Sequence, residues 1–267
     1  MSRTRGTWNT KGMWAAGVVA GAVVILTGYA MLTGDGDGGG ADAPAKGGAS
    51  VSASGAPSPS ASYAPPEDWT EPERWAALPR GQRTDERGSK VGFPHTAEGA
   101  VAMLAATSTT SIEGDRSNVD EQLRLYHSYA AAAEQTPDKA ERLERNATKT
   151  DETIARSMSV TPGSPLPPGA YVRSHVVGFK ILSKSADEVT LWLLSRTVQK
   201  NGEMAKESGS YVRAVIGAQW VDGDWKLTSQ AGQSAAQKAS GQAKPAIVAP
   251  GDAEFNAAGW TAIREAS

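Results

Sequence analysis

Three long runs of alternating side chains constrain this 267-residue sequence more than anything else in it. Residues 171–182, 188–199 and 210–221 are rich in β-branched and aromatic side chains, and after Ala170 the apolar period drops from helical to two. A shorter run, residues 225–229, follows the turn pair Asp222-Gly223, a two-residue hairpin signal. Residues 185–187 join the first run to the second, and Asn201-Gly202 opens a longer hairpin between the second and third. A parallel crossover needs a dozen or more residues, so these short links predict a four-stranded antiparallel sheet. On the third strand, Val212, Ala214, Ile216, Ala218 and Trp220 share one face, and Arg213, Val215, Gly217 and Gln219 the other. On the first, Tyr171, Arg173, His175, Val177, Phe179 and Ile181 share a face. Gly178 and Gly217, inside long strands, imply that the sheet bends sharply.

Upstream the pattern is helical. Thr96 is placed to cap a helix reaching Thr107, with Val101, Leu104 and Ala105 on one side. Ser117 caps a second, with Asp120 three residues on and a stripe of Val119, Leu123, Tyr126, Ala130 and Ala133. Thr136-Pro137 opens a third, continued by Ala140, Leu143, Ala147, Ile154 and Met158. The expected fold class is therefore α+β, three helices packed on a bent four-stranded antiparallel sheet. Residues 229–244 read as a polar loop or frayed helix, and residues 250–267 as a tail docking back through Phe255 and Trp260. The arm around Trp69 and Trp75 reads as packing onto the domain or as a contact for a partner. Trp69, Trp75 and Trp260 are the interaction candidates, and Arg80, Arg83, Arg87 and Lys90 read as a solvated loop.

The N-terminal quarter differs in kind. Residues 13–34 contain no charged side chain, and at 1.5 Å per residue they span roughly 33 Å, enough for a transmembrane helix. Arg3, Arg5 and Lys11 precede the segment and Asp35, Asp37 and Asp42 follow it, which places the N-terminus in the cytoplasm. The expectation is a single-pass cell-membrane protein with an uncleaved signal anchor and an extracellular C-terminal domain. Cleavage at Ala41-Asp42-Ala43 is the alternative, disfavoured by Pro44 at the first mature position. Gly17 and Gly21 form a GxxxG spacing for helix packing. Residues 35–66, rich in Gly, Ala, Ser and Pro, read as a disordered linker, leaving residues 67–267 as one extracytoplasmic domain.

Chemistry is sparse. The chain has no cysteine, which excludes disulfides, thiolate metal sites and cysteine nucleophiles. Its net charge of −2 gives no reason to expect nucleic acid as a partner. His95, His127 and His175 have no second ligand at metal spacing, and no GxGxxG, P-loop or GxSxG string occurs. Neither a metal nor a cofactor is expected.

Three helices followed by a bent antiparallel sheet resemble the cone-shaped α+β superfamily named after nuclear transport factor two. The segment QWVDGDWKLTSQ (residues 219–230) is similar to the W-x-x-G-x-W hairpin that ends many of its sheets. With the anchor and linker, the chain looks like the bitopic scaffold proteins of Gram-positive type IV secretion and conjugation systems. GFPHTAEGAVAML and FNAAGWTAIREA are similar to segments of actinobacterial mobile-element membrane proteins. The resemblance implies a non-enzymatic, membrane-anchored interaction module whose partners are the membrane, other membrane or secretion-complex proteins, and itself. It also implies an alternative: a small-ligand or proton-transfer cavity with Tyr126, Tyr171 and His175 at its mouth. A cell-wall-associated surface protein shares the same layout.

Overall fold

Strands β5 (Ala170–Lys184), β6 (Glu188–Asn201) and β7 (Ser208–Val221) form the antiparallel centre that the alternation predicts. They belong to a computed structural model that describes residues 69–264. Ahead of them come β1 (Trp75–Ala77), β2 (Arg83–Thr84), β3 (Lys90–Val91), helix α1 (Ala97–Thr107), β4 (Thr110–Glu113), α2 (Asn118–Tyr129) and α3 (Pro137–Ser157). After them follow β8 (Asp224–Lys226), α4 (Ser229–Ser240), α5 (Ala253–Ala257) and β9 (Thr261–Arg264). Thr96, Ser117 and Thr136 cap α1, α2 and α3, each accepting a hydrogen bond from an amide inside its helix. Ser117 and Asp120 complete a reciprocal capping box.

The fold class needs correcting. The sheet has seven strands, not four, in the order β1-β9-β5-β6-β7-β8 with β4 also paired to β5. It is mixed, because β1 runs parallel to β9. Five α-helices are present among the described residues, where three were expected. The reason is local: β1, β4 and β9 are three or four residues long, too short to display a period of two. β1 and β9 also come from distant parts of the chain and pair with each other, the Ala262 amide donating to the Arg74 carbonyl at 2.9 Å, while β9 pairs with β5 on its other side.

The sheet is buried on both faces. Val189, Leu191 and Leu193 of β6 pack with Met103, Leu104, Tyr129, Ile216 and Trp225 under α1 and α2. The intervening Trp192 and Leu194 pack on the opposite face with Ala239, Phe255 and Trp260. Helix α4, read as a loop or frayed helix, lies across β7, β6 and β5 on that second face. Its buried side is Ala231, Gly232, Ala235 and Ala239, small residues without the large branched side chains that mark a core-facing helix in sequence. Gly217 reflects this close approach and not a bend, since a Cβ there would sit 2.3 Å from the Ala231 carbonyl oxygen.

Strand β5 carries a bulge. Its register with β6 shifts between Val176 and Gly178, and Gly178 and Phe179 then pair with β9. The extra residue rephases every side chain beyond it. Val172, Ser174, Val176 and Phe179 therefore face the helices, while Tyr171, Arg173 and His175 do not share a face with Phe179.

The single-pass membrane assignment is corrected as well. Among the described residues no helix is long and apolar enough to cross a membrane. The longest, α3, has 21 residues but buries only Leu143, Ala147, Thr150, Ile154 and Ala155, with Glu141, Arg142, Glu144 and Arg145 exposed. Residues 13–34, including Gly17 and Gly21, and the linker at 35–66 lie outside the described residues. The transmembrane, cell-membrane and extracellular readings are carried no further.

Trp260 has no solvent exposure and closes the second core layer. Trp260→Ala is expected to lower the unfolding free energy by about 3–5 kcal/mol in urea titration. A loss below about 1 kcal/mol would show that the C-terminal layer unfolds independently.

Candidate functional site

The residues expected to share a cavity are not brought together. Tyr126 is buried among the main core residues, its hydroxyl donating to the Glu134 carbonyl at 2.7 Å and accepting from the Thr136 amide at 2.9 Å. Tyr171 and His175 lie on the other face of β5, half-buried and exposed respectively. The Tyr171 hydroxyl donates to the Glu207 carboxylate, which holds its pKa above the usual tyrosine value. Arg173 stacks over the Tyr171 ring at 4.2 Å. The space between the helices and the sheet, where a cone cavity would lie, is filled by Phe93, Met103, Leu104, Tyr129, Leu193 and Trp225.

The tryptophan candidates separate in the same way. Trp260 is core, its Nε1 donating to the Ala246 carbonyl at 2.8 Å. Trp75 is half-buried under the Arg264 guanidinium, and Trp69 is 36% exposed. Both donate their Nε1 protons to the two oxygens of Glu71 at 3.0 Å. That fork secures the N-terminal arm where the Thr70 amide donates to the Gly251 carbonyl. Among the described residues, no group of three or more His, Asp or Glu side chains could hold a metal ion.

A different site emerges on α2. A pocket of about 310 Å³ is lined by Arg87, Arg116, Asp120, Glu121, Leu123, Arg124 and His127. Its organising group is Glu121, buried at 2% exposure. Arg124 Nε and Nη2 donate to the two Glu121 oxygens at 3.2 and 2.9 Å, and Arg116 Nη1 donates at 3.3 Å. The Ser111 amide of β4 donates to the same carboxylate at 3.3 Å. Asp120 is likewise occupied, accepting from the Ser117 amide and hydroxyl at 2.9 and 2.7 Å. Both oxygens of Glu121 and the Oδ2 of Asp120 are thus engaged by the protein itself. Three guanidiniums remain at the pocket, and each carries more N–H donors than these contacts use.

The wall opposite α2 is the β2–β3 hairpin. Arg124 Nη1 donates to the buried Ser89 hydroxyl at 2.7 Å, and the Tyr129 hydroxyl donates to the Lys90 carbonyl at 2.9 Å. Burial pushes the Tyr129 pKa up to about 12, so that hydroxyl stays a donor at ordinary pH. Asp85 closes the turn by accepting from the Ser89 and Arg87 amides at 2.8 and 3.0 Å. Burial pushes its pKa up, but its hydrogen bonds outweigh that and hold it below the usual aspartate range. At the start of α2, Asp151 accepts from the Asn118 and Val119 amides at 2.7 and 3.1 Å. Burial raises its pKa and those amides lower it, with burial prevailing.

Sequence reasoning missed this site because α2 buries a polar face. Asn118, Glu121 and Gln122 are buried beside Leu125, Tyr126 and Tyr129, while Leu123 is only half-buried and lines the pocket. The apolar stripe was therefore set out of phase. Arg87, read as part of a solvated loop, is drawn to the pocket by a hairpin too short to show in the pattern. The one signal available was the Glu121–Arg124 spacing, i and i+3 on a capped helix.

Glu121→Ala would remove the charge-assisted hydrogen bonds to half-buried Arg124 and exposed Arg116, an expected loss of about 1–3 kcal/mol in chemical denaturation. Asp151 contributes with the opposite sign to most carboxylates. Its folded pKa is raised, so its favourable contribution is present below the usual aspartate range and is lost as pH rises through the folded value. The stability of the wild type relative to Asp151→Asn should fall as pH rises from below the usual aspartate range through the raised folded value, and a rise would refute the assignment.

The family described as Domain of unknown function (DUF8175) matches residues 37–244. No curated protein and no solved structure matches the chain.

Proposed function

The chain belongs to the DUF8175 family, and we propose that it is a protein-interaction module whose contact site is the arginine-lined pocket on α2. The observation that carries this reading is the arrangement around Glu121: three arginines line one pocket with two acids, and internal donors already engage both acids. A guanidinium recognises a carboxylate through paired, charge-assisted hydrogen bonds, and pre-positioned arginines lose less side-chain entropy on binding. Arg124 is held at three nitrogens and Arg116 at one, so the pocket is largely formed before a partner arrives. Its volume suits one or two side chains of a partner more than a whole cofactor. The packed space between helices and sheet, and the separation of Tyr126 from Tyr171 and His175, also favour a binding role over proton-transfer chemistry.

The test is calorimetric titration of the full chain with a synthetic glutamate-rich peptide and with its glutamine counterpart. The acidic peptide is expected to bind, and to weaken as salt rises. Arg116→Ala is expected to weaken it about tenfold, or about 1.4 kcal/mol. Equal affinity for the two peptides, or indifference to Arg116→Ala and Arg87→Ala, would remove the pocket from this role.

A further inference from the structure

One side chain of the arginine pocket has a hydrogen-bonding character that changes with pH. His127 lies near the end of α2, half-buried, on the same helix face as Arg124 and Asp120, and lines the pocket with them. Its Nδ1 stands 3.2 Å from Gln135 Oε1. That oxygen is identified from the other end of the amide, because Gln135 Nε2 donates to the carbonyls of Ala130 and His127 at 2.9 and 3.2 Å. An amide oxygen only accepts, so His127 Nδ1 carries a proton and the neutral ring keeps its lone pair on Nε2. Nε2 has no hydrogen-bond partner among the described residues and is the ring nitrogen left for the pocket.

A carboxylate offers acceptors alone. Against neutral His127 it meets a lone pair, and against the imidazolium it meets a charged N–H donor. The neighbouring groups supply no such change near neutral pH, where histidine is the side chain whose ordinary titration falls. Arg124, Glu121 and Asp120 share α2 with His127, Arg116 precedes the helix, and Arg87 reaches in from the hairpin whose turn Asp85 closes. Behind the ring, Tyr126 meets it edge-on at 5.2 Å, with its hydroxyl committed to the Glu134 carbonyl. Burial raises the Glu134 pKa, but Lys139 and Ser229 outweigh it and hold that carboxyl below the usual glutamate range. Lys226, from β8, donates to the Ser128 carbonyl. Three arginines and two acids give the lining a formal charge of +1, which a proton on His127 makes +2.

We propose that His127 couples the pocket to pH: a carboxylate-bearing partner draws a proton from solvent onto Nε2, and is held more tightly as pH falls through the neutral range. The Nδ1 proton and its bond to Gln135 stay in place throughout. This rests on the arginine-pocket reading and adds the residue that sets its pH dependence. The sign follows from linkage, since a group that holds its proton more firmly in the complex strengthens binding at the lower pH and loses that contribution as pH rises.

Calorimetric titration of the full chain with the glutamate-rich peptide, at neutral pH in buffers of different ionisation enthalpy, should show uptake of about half a proton per peptide. Affinity should rise about tenfold from about pH 8 to about pH 6, a range in which the peptide's own carboxylates stay ionised. His127→Gln should bind equally at both and take up no proton. Gln135→Leu frees the neutral ring to carry its proton on Nε2, so binding at the higher pH should strengthen and the pH dependence shrink, with circular dichroism unchanged. Heteronuclear NMR of the imidazole nitrogens in the free wild type should report the Nδ1–H tautomer at the higher pH. An Nε2–H tautomer there would overturn the inference, as would a His127→Gln variant that keeps the wild-type pH dependence. Peptide binding without proton uptake, or with equal affinity at the two pH values, would overturn it and leave the arginine pocket standing. Absence of binding at both would remove the pocket reading and this inference with it.

Discussion

Everything in this fold serves the burial of β6 on both its faces. Its central residues, Val189 to Leu194, are apolar apart from Thr190, and each is essentially without exposure. A strand of that kind cannot face water on either side, so two separate layers must be supplied. One is α1 and α2, contributed by the chain before the sheet. The other is α4, α5 and the final strand, contributed by the chain after it. The N-terminal arm and the C-terminal tail are then tied to each other through Glu71, Asn256 and the β1–β9 pairing, which holds the second layer in place.

The bulge at Val177 and the glycine beside it decide where the chemistry is not. Without the extra residue, Tyr171, His175 and Phe179 would share a face. With it, Phe179 turns into the main core, and Tyr171 and His175 turn away from it. Gly178 lets Phe255 approach to 3.2 Å of where its Cβ would stand, so the same local feature seats the second layer.

The arginine pocket has a different origin. It depends on a buried carboxylate, Glu121, that ties β4, α2 and two arginines together. A buried acid of this kind is expensive unless every oxygen is engaged, and here the donors come from three separate stretches of chain. The caps of the three N-terminal helices and the central strands were legible because each rests on neighbours within a few residues. The pocket was not, because its members at 87, 116 and 124 converge only once the hairpin has docked. α4 was illegible for the opposite reason: its buried face is alanine and glycine, and its contact with Gly217 depends on smallness and not on hydrophobic contrast.

The sequence by itself determined the elements whose signal is local: the three capped helices, the hairpin-joined central strands, the type I′ turn at Asp222-Gly223, and the lack of any cysteine chemistry. Period and capping are written over spans of four to a dozen residues, and such spans can be read without knowing what lies across from them. Tertiary structure alone decided the number of strands, the second helical layer, the phase of β5 beyond its bulge, and the meeting of Arg87 with Arg116 and Arg124. Each of those depends on which surface a residue finds opposite it, and on the free energy gained by burying that surface. That quantity belongs to pairs of segments far apart in the chain and to neither segment alone.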